Sequence, residues 1–356
     1  MLEAPQTVTP IAESRGSGVS GRTACPPKLA VVISCYNYED FVERAISSAL
    51  NQGRDDCEVI VVDDGSTDNS WAVICRSGAR AFRIRNSGQR AACLFGFEQT
   101  RAPYVLFLDA DDELKPGAIE AIIGRLDPQV AKLQFPLTPI DADGRILGEA
   151  HPALEAFRSG APLARRVLRN GVYKSPPTSG NVFRRDLCEV LRDAGYDNAV
   201  DGVILFAAPF FGDVISVSEP LGLYRIHTRN KSGVGRTPDA SLFRRDMDRF
   251  LARMDHLGAV IQRSEPGLDL PAPQKVFYYN ELSFWHSIAS GRRPPLTDLV
   301  ALLDTLLGED FSFRNKIAMA AFFLLAAAAP NAKAKALLAY RFKVRRRSTS
   351  RKIAAR

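Results

Sequence analysis

Cysteine is scarce in this chain and follows no pattern. Only six cysteines occur among 356 residues, and no two of them form a CxxC pair or show ligand-like spacing. Disulfide frameworks and structural zinc sites depend on such spacing. The cysteine pattern therefore argues against both and fits reduced thiols in a cytoplasmic protein.

Long apolar runs are also missing. The first 27 residues are rich in Pro, Ser, Thr and Gly and hold no apolar stretch of signal-peptide length, so we predict a disordered leader over 1–27. Gly16-Ser-Gly-Val-Ser-Gly21 matches a dinucleotide fingerprint only formally, because no strand precedes it. The apolar run Ile317 to Ala329 is 13 residues long, whereas a membrane-spanning helix needs about 20.

Acidic residues are absent from the C-terminal segment. Residues 331–356 contain ten Lys or Arg and no Asp or Glu, so the net charge of +7 leaves −3 (7 − 10) for the rest of the chain. The basicity belongs to this tail, and we predict no nucleic-acid partner for the body. The body, in a chain with 46% hydrophobic and 24% charged residues, has the composition of a globular protein.

Apolar strand patterns and helical patterns alternate in the first part of the chain. Such alternation predicts a mainly parallel sheet flanked by helices, an α/β fold. The predicted strands are 29–34, 59–62, 82–84 and 104–108, and the predicted helices are 41–50, one from about 67, and 89–100.

The rest of the chain has a mixed period. We predict a turn at Asp143-Gly144, a Pro-rich loop at 175–178 and a strand at 223–227, with helices near 187–194 and 201–208. Beyond about residue 240 the pattern is helical. The predicted organisation is a leader 1–27, an α/β domain 28–235, a helical extension 236–330 and a basic tail 331–356.

Polar corners follow three of the predicted strands, at Tyr36, Asp64 and Asp109. In parallel sheets, ligands bind beyond the carboxyl ends of the strands. Asp109 and Asp111 are two residues apart, which places their side chains on one side of an extended backbone. Their oxygens suit Mg²⁺ or Mn²⁺, although an acidic turn in solvent would show the same spacing. Asp141 and Asp143 repeat this spacing, and the following Gly144 favours a turn there.

Taken together, several of these motifs resemble family 2 glycosyltransferases of the GT-A fold, in order and spacing. The resemblance covers about residues 28 to 230. Its motifs are Ser34-Cys-Tyr-Asn37, Val61-Val-Asp-Asp-Gly-Ser-Thr-Asp68, Asn86-Ser-Gly88, Phe107-Leu-Asp-Ala-Asp-Asp112, Thr178-Ser-Gly-Asn181, Val200-Asp-Gly-Val203 and Leu221-Gly-Leu-Tyr-Arg-Ile-His227.

The resemblance implies a nucleotide-sugar donor, most simply a UDP-sugar, and a divalent cation, Mn²⁺ or Mg²⁺. Tyr36 would stack on the base, Asp64 would accept a hydrogen bond from it, and Asp109 would approach the ribose. The implied nucleotide-binding residues are Ser34, Tyr36, Asn37, Asp64, Asn86, Gly88 and Asp109. Asp111 would bind the metal, and His227 would join it unless it is a structural histidine.

The acceptor side is implied by the later motifs. Ser179, Gly180 and Asn181 would face the acceptor or the phosphates, with Gly180 letting backbone N–H groups approach. A plain turn before a strand explains the same residues. Arg225 would face phosphate oxygens.

Asp201 is the implied general base for inverting transfer to an acceptor hydroxyl. The commoner family pattern has a Glu-Asp pair at this position, whereas Val200-Asp201-Gly202 supplies one acid. An acid at a helix start also serves as a partner of the helix dipole. A nucleotide-sugar-binding protein that has lost turnover is therefore kept as an alternative. A nucleotidyltransferase is a further alternative, although such enzymes usually have a Gly-rich loop with Lys or Arg after the first strand, which Ser34-Cys-Tyr-Asn37 lacks.

The tail mixes basic and apolar residues, as expected of a helix lying on an anionic leaflet. We predict peripheral attachment to the inner face of the plasma membrane, which would suit a saccharide or lipid-linked acceptor. A core helix at 317–329 followed by a solvated basic tail is the alternative.

Overall fold

The structure is a computed structural model that describes residues 10–14, 26–230 and 239–350, with side chains through residue 341. The chain divides into two compact units. The first comprises 1–163 and 174–227, and the second comprises 164–173 and 228–356. Across the described ranges, no helix has both the length and the hydropathy to cross a membrane.

The first unit is built around two sheets. Its strands are β1 Ala12–Ser14, β2 Leu29–Cys35, β3 Cys57–Asp63, β4 Arg80–Arg83, β5 Tyr104–Asp109, β6 Glu113–Leu114, β7 Val130–Gln134, β8 Leu137–Ile140, β9 Phe157–Ser159, β10 Asn181–Arg184, β11 Asp213–Ser216 and β12 Gly222–Arg225. The large sheet has the order β1-β4-β3-β2-β5-β10-β7-β11-β9, and the small one has the order β6-β12-β8.

The centre of the large sheet is parallel. Strands β4, β3, β2 and β5 run in the same direction, and their apolar residues are buried on both faces. Strand β10 then enters antiparallel between β5 and β7. The structure confirms the predicted α/β class, a mixed sheet with a parallel core flanked by helices.

Helices cover both faces of this sheet. They are α1 Val42–Leu50, α2 Ser70–Arg76, α3 Gln89–Glu98, α4 Ala118–Ile123, α5 Ala161–Asn170, α6 Arg185–Cys188 and α7 Val203–Phe211, with α5 crossing the boundary between the units. Val42 and Ile46 of α1 pack on one face of the parallel strands, and Ala92 and Phe95 of α3 pack on the other. The paired layers fix the strand ends that carry the polar corners.

The predicted leader differs from the structure at one place. Residues Ala12–Ser14 form β1 and pair antiparallel with β4, Glu13 lying opposite Phe82. A short strand at the sheet edge gives backbone groups partners without needing apolar side chains, and so it left little sequence signal. Residues 1–9 and 15–25, including the formal fingerprint, lie outside the described residues.

The second unit is helical. Its main helices are α8 Ala240–Ser264, α9 Phe277–Ala289, α10 Leu296–Leu307, α11 Phe313–Ala328 and α12 Asn331–Ser350. Phe284, Trp285 and Phe323 form the centre of its core. Ala334 and Leu338 of α12 are buried in the same core. The start of the predicted basic tail is therefore an integral helix of this unit.

Candidate active site

The ends of the parallel strands bring the predicted corners together. In the register of the sheet, Ser34 lies opposite Val62 on one side and Asp109 on the other. Tyr36 and Asp64 follow at the same edge, one or two residues further along their strands. The strand ends thus deliver an aromatic ring and two acids to one edge, as the motifs predicted.

Asp64 is buried and holds the loop that follows β4. Its two carboxylate oxygens accept hydrogen bonds from the backbone N–H groups of Ser87 and Gly88, at 2.7 and 2.9 Å. Gly88 has a φ of +89°, which favours glycine. Asn86, two residues before Gly88, is exposed. Asp64 therefore shapes the Asn86-Ser-Gly88 loop, and a carboxylate retains lone pairs for a further donor.

Tyr36 and Asn37, which follow β2, have different surroundings. Tyr36 is 36% exposed, so its ring is accessible for stacking. Asn37 has a φ of +59°, and its side-chain oxygen accepts from the backbone N–H of Thr67 at 2.8 Å. Its own N–H donates to the Ser66 hydroxyl at 2.9 Å. Asn37 thus joins two loops of the edge.

Ser34 precedes these two residues on β2 and is half-buried. Its side chain forms a hydrogen bond with the thiol of Cys93 on α3, which lowers the Cys93 pKa. Complete burial of the thiol outweighs it and raises the Cys93 pKa to about 12. Cys93 therefore stays a neutral thiol at the back of the site.

Three carboxylates form a cluster after β5. One oxygen of each of Asp109, Asp111 and Asp112 lies within 4.8 Å of the others. Burial, and then the charges of Asp111 and Asp109, raise the pKa of Asp112 well above its ordinary value. Crowded hard oxygens are the donors that Mg²⁺ and Mn²⁺ prefer. The residues present therefore fit a divalent cation, which would offset their mutual repulsion.

Asp112 was not among the predicted site residues, although it is the most enclosed acid of the three. One of its oxygens accepts from the Ser179 hydroxyl at 2.6 Å, and the other accepts from the backbone N–H of Arg225 at 2.9 Å. Its position beside Asp111 in the motif was the only signal, and acidic turns often carry such extra acids. Asp112 fixes the turn to two distant segments.

Asp109 is held from two sides. Its carboxylate accepts from the side-chain amide of Gln89 at 2.5 Å, and its backbone N–H donates to the Ser179 hydroxyl at 3.1 Å. Ser179 therefore bridges Asp109 and Asp112. Ser179 thus supports the acid cluster, and its role facing the acceptor or the phosphates stays a prediction.

His227 meets Asp111 across 116 residues of sequence. Its Nε2 lies 2.9 Å from an Asp111 carboxylate oxygen. The imidazole is stacked on Phe41, with ring centroids 4.7 Å apart, and meets the edge of Tyr38. Its side chain is only 5% exposed. The structure thus places His227 beside the acid that the motif assigned to the metal.

Arg225 does not fit its predicted role. Its side chain is fully buried and donates to the backbone oxygens of Asp111, Asp141 and Ala142, at 2.9 to 3.0 Å. It also forms an ion pair with Glu113. A guanidinium used in this way braces the protein, so the expected contact with phosphate oxygens is wrong for this conformation.

We expect Arg225→Met to lower the free energy of unfolding by about 3 to 5 kcal/mol, because removing one partner leaves a charge and several carbonyls uncompensated. Urea denaturation measures the loss. Arg145→Met is the matched control, because Arg145 pairs with Asp143 in a contact whose side chains are 79% and 71% exposed. Equal stability of the two variants would contradict the bracing role.

Gly180 and Asn181, in the loop before β10 and at its start, make contacts within the protein. The Gly180 N–H donates to the Pro177 carbonyl at 2.9 Å, and a Cβ at Gly180 would lie 2.7 Å from the Phe135 carbonyl. The buried Asn181 amide donates to the Pro176 and Pro177 carbonyls. Close packing and loop closure use both residues, and their role facing the acceptor or the phosphates stays a prediction.

Asp201 lies two residues before α7 and is partly buried. Its charge acts on Lys132, which lies fully buried in β7 and which sequence reasoning missed. Burial lowers the Lys132 pKa well below its ordinary value, and Asp201 opposes this shift. Lys132 Nζ donates to Ser175 at 2.7 Å and to Gln134 at 2.9 Å. A lysine inside an apolar strand was the available signal.

The second acidic pair behaves as a turn, as predicted. The Asp141 carboxylate accepts from the backbone N–H groups of Asp143 and Arg145, at 3.0 and 2.8 Å. Gly144 has a φ of +93°. These contacts close the turn locally.

Comparison with known proteins adds a family to this geometry. The family model of Glycosyl transferase family 2 matches residues 30–192. An uncharacterized glycosyltransferase of Nostoc sp. is 34% identical over 214 residues, covering 57% of this chain and 66% of that protein. Succinoglycan biosynthesis protein ExoO of Rhizobium meliloti is 29% identical over 251 residues, covering 67% of each chain.

A solved structure supports the fold. S. aureus TarS in complex with UDP-GlcNAc superposes with a TM-score of 0.51 at 15% identity, over 90% of this chain and 92% of that one. At this identity the likeness concerns architecture alone. The sequence matches leave about a third of the Nostoc and Rhizobium relatives uncovered.

Proposed function

The chain belongs to glycosyl transferase family 2, and on this premise we propose that it transfers a sugar from a nucleotide diphosphate, most simply a UDP-sugar, to a hydroxyl acceptor with inversion. One observation carries the proposal above all others. The ends of β2, β3 and β5 place Tyr36, Asp64 and the Asp109–Asp112 cluster at one edge of the sheet.

The donor side uses the strand ends directly. Tyr36 offers its accessible ring to the base, and base–aromatic stacking contributes about 1 to 3 kcal/mol. Asp64 holds the loop around Gly88 and accepts an imide N–H of the base. Asp109, fixed by Gln89, turns toward the ribose. UDP-GlcNAc binding by TarS and its shared architecture make a uridine base the simplest choice.

Asp111 would hold the cation, with Asp109 and Asp112 adding charge around it. A bound divalent cation supplies neutralisation of the diphosphate charge as the sugar leaves. His227 orients Asp111, and Arg225 fixes the backbone of the same residue. The chain's own residues thus keep the cluster rigid.

Asp201 is proposed as the base that takes the proton of the acceptor hydroxyl. Asp201 interacts electrostatically with the buried Lys132, because its charge opposes the lowering of the Lys132 pKa by burial. A single in-line displacement then inverts the anomeric carbon. Lys132 also binds Ser175, and so it links Asp201 to the loop that carries Ser179.

The acceptor is proposed to be a saccharide or a lipid-linked saccharide in polysaccharide or glycolipid assembly. ExoO of Rhizobium meliloti is a succinoglycan biosynthesis protein, and a Campylobacter jejuni relative, 31% identical over 130 residues, is a glucosyltransferase named for an undecaprenol-linked substrate. Peripheral attachment at the inner face of the plasma membrane, driven by the basic C-terminal residues, would bring the enzyme to such acceptors.

Nucleotide sugars are expected to stabilise the chain against heat, and more so with Mn²⁺. A ligand at 100 times its Kd adds about 2.7 kcal/mol to the free energy of unfolding. A screen of UDP-, GDP- and dTDP-sugars with Mn²⁺ or EDTA measures the shift in Tm and selects the donor. The selected donor then enters a transfer and hydrolysis assay.

The two measurements separate the candidate functions. Stabilisation with turnover supports the transferase. Cation-dependent stabilisation without hydrolysis or transfer points to a nucleotide-sugar-binding protein that has lost catalysis. Absence of stabilisation by every nucleotide sugar contradicts the donor site itself.

A further inference from the structure

Apolar residues of the C-terminal segment that were predicted to face a membrane pack against the protein instead. Ala334 and Leu338 of α12 are buried in the core of the second unit, and Leu337 packs against that core. Arg341 pairs with Glu281 at 2.7 Å. Over 331–341, the apolar side of the predicted tail helix therefore faces the protein, and little of it remains for a membrane.

A free apolar surface lies instead on the preceding helix, α11. Phe323 and Ala326 point into the core, whereas the opposite side of the helix is open to solvent. Ile317, Leu324 and Leu325 are 54%, 50% and 58% exposed. The outer face of α11 is defined here as the exposed residues Ile317, Ala318, Ala321, Leu324, Leu325 and Ala328.

These positions recur at helical spacing and form one continuous stripe without a charged residue. Soluble monomers rarely leave contiguous apolar surface uncovered without a binding role. At 16 residues, α11 is too short to span a bilayer. A helix of this kind can lie in the plane of the interface with one face in the acyl boundary.

The positive charge around the outer face of α11 favours an anionic membrane as its partner. Residues 311–356 contain twelve Lys or Arg and no Asp or Glu. Arg314, Lys333 and Lys335 are exposed on α11 and α12. Each basic residue near an anionic leaflet adds about 1 kcal/mol of attraction, whereas a second copy of the same segment would bring like charges together.

We propose that the outer face of α11 inserts into the interfacial region of an anionic bilayer, with Arg314, Lys333 and Lys335 contacting lipid headgroups. The proposal deepens the peripheral attachment proposed above and does not depend on glycosyl transfer. It assigns the apolar contact to α11 and leaves only the charge to the C-terminal tail.

Vesicle flotation of the full chain tests this assignment, using phosphatidylcholine vesicles with and without 30% phosphatidylglycerol. The test variant is Ile317→Glu with Leu325→Glu, and the matched control is Ile146→Glu with Leu147→Glu. The control residues are 70% and 40% exposed on the first unit, so both variants add two negative charges at exposed Ile and Leu positions. Deleting the chain after Pro330 is unsuitable, because it would remove Ala334 and Leu338 from the core.

We expect the native chain and the control to float with the anionic vesicles, and the α11 variant to bind at least about tenfold more weakly, since two apolar side chains can no longer be buried. Equal binding by the α11 variant and its control overturns the proposal. So does sedimentation showing that the native chain is a dimer and the α11 variant a monomer.

The stabilisation assay runs on the same samples. A chain that floats but gains no stability from nucleotide sugars refutes the donor proposal only. A chain that is stabilised by its donor but does not float refutes the α11 surface only.

Discussion

Asp201→Asn is expected to lower kcat for sugar transfer by about 10²- to 10⁴-fold, the usual contribution of a general base. Asn keeps the shape of the side chain but cannot take a proton. Because the donor residues lie at the ends of β2, β3 and β5, donor-induced stabilisation is expected to stay at the native level. Single-turnover kinetics beside thermal stabilisation separate the two effects.

Asp143→Asn is the control for this substitution. Asp143 is an exposed acid in a turn and pairs with Arg145 at 3.3 Å, so the same chemical change there should leave turnover unchanged. The pH profile gives a second readout, since the native enzyme should lose activity as the base becomes protonated and the variant should lack that limb. Native turnover in Asp201→Asn removes this residue from the mechanism.

Asp111→Asn is expected to produce the second large loss, about 10²-fold or more in kcat/KM at low Mn²⁺, because several kcal/mol of charge stabilisation depend on the cation. Asn keeps one oxygen but loses the negative charge beside His227. The half-saturating Mn²⁺ concentration in the transfer assay is the measurement, and it should rise in the variant.

The control for Asp111→Asn uses the same cluster. His227→Gln keeps a donor near Asp111 but removes the ring that stacks on Phe41. If His227 only orients the acid, this variant should shift the Mn²⁺ requirement less than Asp111→Asn does. An unchanged Mn²⁺ requirement in Asp111→Asn would show that the cluster holds no catalytic cation.

The parallel core was predictable because its signal is local. Strands β2, β3 and β5 are short apolar runs, each ending in polar residues, and such runs between helices indicate buried parallel strands. Strand β10 entered the prediction only as the strand that would follow a turn at 179–181. Its antiparallel place between β5 and β7 depends on contacts about 50 to 80 residues away, which no local pattern encodes.

The site was predictable where a motif sits at a strand end. Tyr36, Asp64 and Asp109 reach one edge because the register of parallel strands requires it. Arg225 and Asn181 were assigned to ligands because a polar residue looks the same in sequence whether it meets substrate or a backbone carbonyl. Only the fold shows that Arg225 is buried against Asp111, Asp141 and Ala142.

The C-terminal tail also shows that a local pattern does not reveal what a side chain contacts. Mixed basic and apolar residues at 331–356 predicted an amphipathic helix, and a helix forms over Asn331–Ser350. Which surface its apolar side covers depends on the neighbouring helices, and α9 and α10 supply the core that takes Leu338. The uncovered face consequently appears on α11, whose residues 317–328 are all apolar.

The segment from β12 to His227 limits which insertions and deletions the protein can accept. Arg225 and His227 are two residues apart and both reach Asp111. Successive residues of an extended segment alternate between its two sides, so inserting or deleting one residue before Arg225 would turn both side chains away together. We therefore expect a change of length between 222 and 227 to break the contacts of both residues with Asp111.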